Sequence, residues 1–243
     1  MSAKSRGTEA EQITSAGILV DNSLSIEEIK ALVALKGYDE TELQSGRSKI
    51  VFALQSLKDQ ARQEGIARDA TKAEASSKLA AHTAYQDLAQ ILRGKYLANS
   101  PELVKVGLVG SEPATIADFL KAGYTLFDNA AADADISAYI LLRGYTPEIM
   151  HSERNKFSVY EKANEDQVTA MGLASDATKA KIKAFIDMNT WISEYKASAK
   201  VALRKKPALL EQLGIKIRKR GPNKKKNKKN NNKPPETPPP AAQ

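Results

Sequence analysis

Apolar residues recur along this chain at helical spacing. Ile116, Phe119, Leu120, Gly123 and Phe127 fall at i, i+3, i+4, i+7 and i+11, which is one face of a helix. Pro113 stands just ahead of that run, where proline is tolerated near a helix start. Further back, Ser25 with Glu28 can form a capping box before the apolar run Ile29 to Leu35. Gly37 and Gly144 stop the helices that precede them, because glycine takes the left-handed conformation beyond a helix end cheaply. A new helix start follows each of them. Asp39 with Glu42 supplies one capping box, and Thr146 before Pro147 supplies a cap with proline at the first helical position. Two different sequences thus encode the same helix–turn–helix corner.

The next helix places Leu43, Ile50, Leu54, Leu57 and Ala61 close to a heptad seam. Its counterpart carries Met150, Phe157, Asn164, Val168 and Met171, a poorer seam. Gly65 and Gly172 then suggest a break, with Asp69 or Asp176 restarting a long helix to about Asn99 or Lys205. Ser100-Pro101 and Lys206-Pro207 open a short final helix that Gly107 or Gly214 closes. No Asn-Gly or Asp-Gly hairpin flanked by alternating residues is visible, so little strand is expected.

These correspondences share one offset. A shift of 107 residues brings Asp21-Asn22 onto Asp128-Asn129 and Gly37-Tyr38 onto Gly144-Tyr145. Ser45, Arg47 and Lys49 fall on Ser152, Arg154 and Lys156, and Asp59-Gln60 on Asp166-Gln167. The block Asp69-Ala-Thr-Lys-Ala73 recurs whole as Asp176-Ala-Thr-Lys-Ala180. Leu103 and Gly107 fall on Leu210 and Gly214. Repeats of this kind outrank other signals. The expected fold is all-α: tandem duplicated helical-bundle units with long antiparallel helices, plus a disordered C-terminal tail. The boundaries are a flexible N-terminus over 1–7, a first unit over 8–108, a linker over 109–114, a second unit over 115–215 and a tail over 216–243. Each unit is expected to be a four- or five-helix array around one long hairpin. The short linker favours close packing of the units with an approximate twofold relation.

Composition narrows the chemistry. The chain has 243 residues and no cysteine. That removes disulfide frameworks, thiolate nucleophiles, zinc knuckles and iron–sulfur clusters, and fits a reducing compartment. Met1 to Gln12 is polar and lacks the apolar core of a secretory signal. No stretch approaches the roughly 18 apolar residues of a transmembrane helix. The expected location is the cytoplasm.

The net charge of +8 is unevenly spread. From residue 216 onward Lys216, Arg218, Lys219, Arg220, Lys224, Lys225, Lys226, Lys228, Lys229 and Lys233 face one acid, Glu236. That leaves 27 of the 37 bases and 28 of the 29 acids in the body, which is nearly neutral. The basic run, the asparagines and Pro-Pro-Glu-Thr-Pro-Pro-Pro240 cannot bury enough apolar surface to order themselves. The ten cations are candidate phosphate or anion contacts, with affinity that falls steeply with salt. No aromatic residue follows Tyr195, so the tail has no base-stacking platform. Any nucleic-acid contact through it is expected to be sequence-independent.

Catalytic signals are weak. Glu148-Ile-Met-His151 has the spacing that puts two metal ligands on one helix face. Its repeat partners are Thr41 and Gln44, and the other histidine, His82, has no glutamate three residues before it, so a symmetric two-helix site is excluded. The two histidines come with no nucleophile elbow. Gly107-Leu-Val-Gly110 lacks the Lys-Ser/Thr ending of a P-loop and reads as a linker turn. The repeated Asp-Ala-Thr-Lys-Ala block reads as an aspartate cap with a packed alanine face, and alternatively as a paired binding site. Trp191 reads as core filling, with a partner-binding hot spot as the alternative.

No catalytic, cofactor-binding or metal-ligating residue is therefore assigned. The expectation is a non-enzymatic helical interaction or scaffold protein with a protein partner and scope for self-association. The alternative is a non-specific nucleic-acid-associated protein that uses the basic tail. An enzyme with carboxylate chemistry in the bundle core stands third.

Overall fold

The computed structural model describes residues 7–216. The expected flexible N-terminus, apart from Gly7, and the expected disordered tail, apart from Lys216, lie outside the described residues. Among these residues the secondary structure is eight helices and no strand. They are α1 (Glu9–Ser25), α2 (Glu27–Ala34), α3 (Glu40–Lys95), α4 (Pro101–Lys105), α5 (Ile116–Ala132), α6 (Ala134–Leu141), α7 (Pro147–Ala202) and α8 (Pro207–Gln212). The first three helices recur as α5, α6 and α7 at the 107-residue offset read from the sequence, residue for residue. The all-α architecture with long antiparallel helices is as expected.

Local chemistry sets the helix starts. Thr8 caps α1 in a full capping box with Glu11, and Thr115 caps the equivalent α5 by accepting from the Asp118 amide. Asp39 caps α3, and Thr146 caps α7 with Pro147 in its first turn. Gly37 and Gly144 hold φ of 84° and 87°, the left-handed turn that separates each short helix from the long one. One expected cap does not form. Ser25 ends α1 instead of starting α2, whose N-cap is Ile26 without a side-chain bond. Asp133, the repeat partner of Ile26, does cap α6 by accepting from Asp135 and Ile136.

The largest departure concerns Gly65 and Gly172. Both lie inside unbroken helices of 56 residues, so Asp69 and Asp176 are not caps. At about 1.5 Å per residue each helix is about 84 Å long. An interior glycine costs only about 1 kcal/mol relative to alanine, and the flanking Ala, Arg, Gln and Glu residues favour helix. With no proline nearby nothing forces a break. Asp69 and Asp176 instead pair with Lys72 and Lys179 one turn on, at 3.6 and 2.9 Å. The helices also end a little early, at Lys95 and Ala202.

Consequently no repeat folds back on itself as a long hairpin. The long helices α3 and α7 run antiparallel against each other. Their register is fixed by Tyr38 against Tyr195 and by the Trp191 indole N–H donating to Glu42 Oε1 at 2.6 Å. Each end of this coil carries its own core, and each core draws on both repeats. One joins α1, α2 and the start of α3 to the end of α7 and to α8. The other joins α5, α6 and the start of α7 to the end of α3 and to α4. The bundles at the two ends are composite, with the halves exchanged along the coil.

The residues kept in both repeats close these composite ends. Asn22 of α1 donates to the Gln212 carbonyl of α8, and Asn129 of α5 donates to the Lys105 carbonyl of α4, both at 2.6 Å. Arg47 pairs with Asp21 at 3.5 Å, and Arg154 grips both oxygens of Asp128 at 2.5 and 3.0 Å. The aromatic filling differs between the ends. Trp191 lies directly over Gly46 in one core, and Phe157 over Gly123 in the other. Trp191 is only 5% exposed. Core filling is what it does here.

Candidate interaction surface

The seam of the coil changes character along its length. Near the ends it holds Leu43, Ile50, Ala53, Met150, Phe157 and Tyr160. Towards the middle it passes through small and polar residues, with Ala170 buried near the midpoint. Gln63 also lies here, its Oε1 buried and without a hydrogen-bond partner. Several residues expected in the seam sit outside it. Leu54 is 38% exposed, Val168 62% and Met171 55%, and Ala61 is also exposed. The helix phase follows Gly46 and Ala53 in α3 and Ala170 in α7, because small residues let two helices approach where larger ones would hold them apart, while Tyr160 fills the core nearer the end.

The short helices cover one side of this coil. Phe119 of α5 stacks on His82 at 4.1 Å and lies against Phe157 at 5.7 Å. His82 Nδ1 in turn lies 2.6 Å from Glu112 of the connecting segment. At the other end Lys181 pairs with Glu9 at 2.7 Å, and Asn189 bonds Gln12. Around a helix, two residues differ by about 200°, so Val159 points away from the side on which α5 covers Phe157.

That opposite side is bare. Along it run Phe52 (60% exposed), Ile66 (46%), Val159 (53%) and Leu173 (51%), with Asp59 and Asp166 between them and Ala73 and Ala180 at the row ends. An open groove of about 730 Å³ crosses it, lined by Ile66, Asp69, Ala70, Ala73, Val159 and Lys162 among others. The repeated Asp-Ala-Thr-Lys-Ala block contributes Asp69, Ala70 and Ala73 to this groove. Its threonines, Thr71 and Thr178, bond back to the Ala67 and Ala174 carbonyls at 2.8 and 2.9 Å. Lys162 donates to Asp166 at 2.8 Å, and that carboxylate raises the lysine pKa above its usual value.

Other candidate features are occupied by internal bonds. A cavity of about 280 Å³ lies beside His151, Met150, Tyr145 and Arg154, but Arg154 is engaged by Asp128, which raises its pKa. Glu148 has a lowered pKa through its own backbone amide and the Thr146 hydroxyl at the start of α7. Burial pushes the Tyr195 hydroxyl upward in pKa, and that hydroxyl hydrogen-bonds with Ser23 inside the core. Burial lowers Lys196, with Lys200 adding to the effect. Among the described residues no group of three or more His, Cys, Asp and Glu side chains gathers as a metal-binding cluster. Gly107 and Gly110 both hold left-handed φ, 74° and 76°.

Of the ten tail cations, Lys216 is exposed immediately after Ile215, which is buried in one of the cores. Arg218, Lys219, Arg220, Lys224, Lys225, Lys226, Lys228, Lys229 and Lys233 lie outside the described residues. No helix among the described residues is long and apolar enough to cross a membrane. Comparison with protein-family models, with curated proteins and with solved structures finds no match.

Proposed function

We propose that this chain is a non-enzymatic scaffold that presents the bare side of its long coil to protein partners. One observation carries the reading. Four large apolar residues, Phe52, Ile66, Val159 and Leu173, stand half exposed in a row on rigid helices. Single exposed apolar residues need no explanation, but an aligned set with charged flanks has the composition of a binding face.

A second reading rests on the tail, where ten bases face one acid. Such a segment would hold nucleic acid through phosphates alone. Capture of partners by the full chain and by a chain ending at Ile215 separates the two. The scaffold keeps its protein partners after the cut and loses them when Ile66 and Leu173 are changed to glutamate. If every partner is lost with the tail, and random-sequence DNA or RNA binds the full chain with a steep salt dependence, the scaffold reading falls.

A further inference from the structure

The bare side of the coil carries the symmetry of the internal repeat. Its apolar members are repeat partners: Phe52 with Val159, Ile66 with Leu173, and Ala73 with Ala180. Its acids are repeat partners too, Asp59 with Asp166 and Asp69 with Asp176. The antiparallel pairing of α3 with α7 brings these residues together as one strip crossing the midpoint of the coil.

The strip has kept its character in both repeats although it is exposed. The flank on the other side has kept it only in part, since Leu79 and Ile186 are exposed apolar repeat partners there too. There Ala61 stands against Val168, Glu64 against Met171, Arg68 against Ser175 and Ala75 against Ile182. Both faces belong to the same two helices and carry the same demands of helix propensity. Propensity therefore does not account for the strip, and packing within the chain accounts for only part of it, because about half of each large side chain stays exposed.

We infer that this strip docks against the same strip of a second copy, so that two α3–α7 pairs form an antiparallel four-helix bundle. The inference rests on the scaffold reading and names its first partner. An isologous contact uses the same patch on both copies, and this patch offers its partner the same row from either repeat. Size agrees. The strip and its charged margins span about 40 Å along the coil and about 20 Å across two helices, or roughly 800 Å² per copy, the area of a standard stable interface. Charge agrees as well. Asp59 and Asp166 within the rows, and Asp69 and Asp176 beside them, stand against Arg62, Lys72, Lys162, Lys179 and Lys183, a near balance that suits an equal partner. Small residues at Ala73 and Ala180 leave room for the half-exposed Ile66 and Leu173 of the facing copy.

The test is the mass of the purified full chain by light scattering and sedimentation equilibrium, with no partner added. The wild-type chain is expected at twice the 26.4 kDa chain mass. Ile66→Glu with Leu173→Glu places four charges in the contact of the dimer and is expected to weaken it by about a hundredfold or more. Both positions are half exposed, so helix content by circular dichroism should stay at the wild-type level. Leu142→Glu, at a position 84% exposed on the turn after α6, should remain dimeric. A wild-type chain that stays monomeric at every accessible concentration overturns the inference, as does a double variant that keeps its native helix content and still dimerises. The mass is read with no partner present: a monomeric wild-type chain that still captures proteins through Ile66 and Leu173 overturns the dimer and leaves the scaffold reading standing, whereas loss of capture with the tail would leave the mass unchanged.

Discussion

Substituting alanine for glycine at two kinds of site in the same helix should have opposite effects, and the structure says which. At Gly46 an added Cβ would lie 2.2, 2.3 and 2.5 Å from three atoms of the Trp191 ring. Ordinary contact begins near 3.5 Å, so the ring would have to move by about 1 Å or more. It has little freedom to do so. Its indole N–H is tied to Glu42, Tyr195 stacks on it at 5.2 Å and Tyr38 packs edge-on at 5.9 Å. Overpacking of this kind costs about 1–3 kcal/mol, and a locked ring puts the cost in the upper part of that range. Alanine recovers about 1 kcal/mol of helix propensity. The expected net effect of Gly46→Ala is a loss of about 1–2 kcal/mol.

Gly65 and Gly172 have nothing within 4 Å of an added Cβ. Gly65→Ala and Gly172→Ala should each stabilise by about 0.5–1 kcal/mol through propensity alone. Urea unfolding followed by far-UV circular dichroism measures all three. Trp191 is the sole tryptophan, so its fluorescence reports the Gly46 end without labelling. In a Trp191→Leu background the ring is gone and Gly46→Ala should turn neutral or stabilising, which gives a coupling of about 2 kcal/mol. If Gly46→Ala stabilises the wild-type chain as much as Gly65→Ala does, the close approach of Trp191 to α3 is wrong, and with it the register of the coil.

Asn22→Ala and Asn129→Ala should each cost about 1 kcal/mol by denaturant unfolding, because each removes a hydrogen bond that ties α1 to α8 or α5 to α4; the two ends are far apart, so the double variant should show the sum. A neutral outcome at both positions would remove these bonds from the account of why Asp-Asn is kept twice. Residues 1–108 and 109–243 expressed apart should each lack the native monomer fold, and mixing them should restore the helix content and Trp191 emission of the intact chain; a folded monomer of 1–108 would contradict the exchanged cores. Burial holds the Lys196 pKa below its ordinary 10.5, so protonation penalises the fold below the folded-state pKa, and the penalty fades as pH rises towards 10.5. Lys196→Met should therefore be more stable than wild type at neutral pH, with the difference shrinking in alkaline solution; a difference that does not vary with pH would assign the effect to packing.

Much of this architecture is legible in the sequence because helix ends are local. Gly37, Gly144, Thr146-Pro147 and the Ser100-Pro101 start each act within a turn of themselves, and each sits where the pattern places it. The unbroken long helices are harder to read. A glycine after a heptad run looks like punctuation, and only the absence of a steric need for a turn at Gly65 argues otherwise. Once that break is assumed, the chain folds back within its own repeat on paper, and the seam drifts onto Leu54, Val168 and Met171, which the structure leaves exposed. The exchange of halves is a long-range fact with no local signal. Periodicity shows that a helix has a partner, not which repeat supplies it. The bare strip has a sequence signal, since Phe52 with Val159 and Ile66 with Leu173 are repeat partners, but it lies off the heptad seam that dominates the pattern.

The exchange also explains what duplication achieves here. A single repeat has a long helix whose far half must be covered by something. In the full chain the second repeat supplies that cover, and the first returns it, so both ends close with groups such as Asn22 and Asn129 that appear once per repeat. Such an arrangement forces the two long helices to cross at their midpoints, where Gln63 and Ala170 lie. The short helices then crowd onto one side, because α1 and α5 each follow the same geometry from opposite ends. A bare opposite side is thus a direct consequence of the topology, before any selection for binding. What topology does not dictate is that this side should stay apolar in both repeats. Helix packing would accept polar residues at Ile66 and Leu173 as readily as it accepts Asp59 and Asp166 in the same row. Their persistence is the part of the structure that folding leaves unexplained and association would account for.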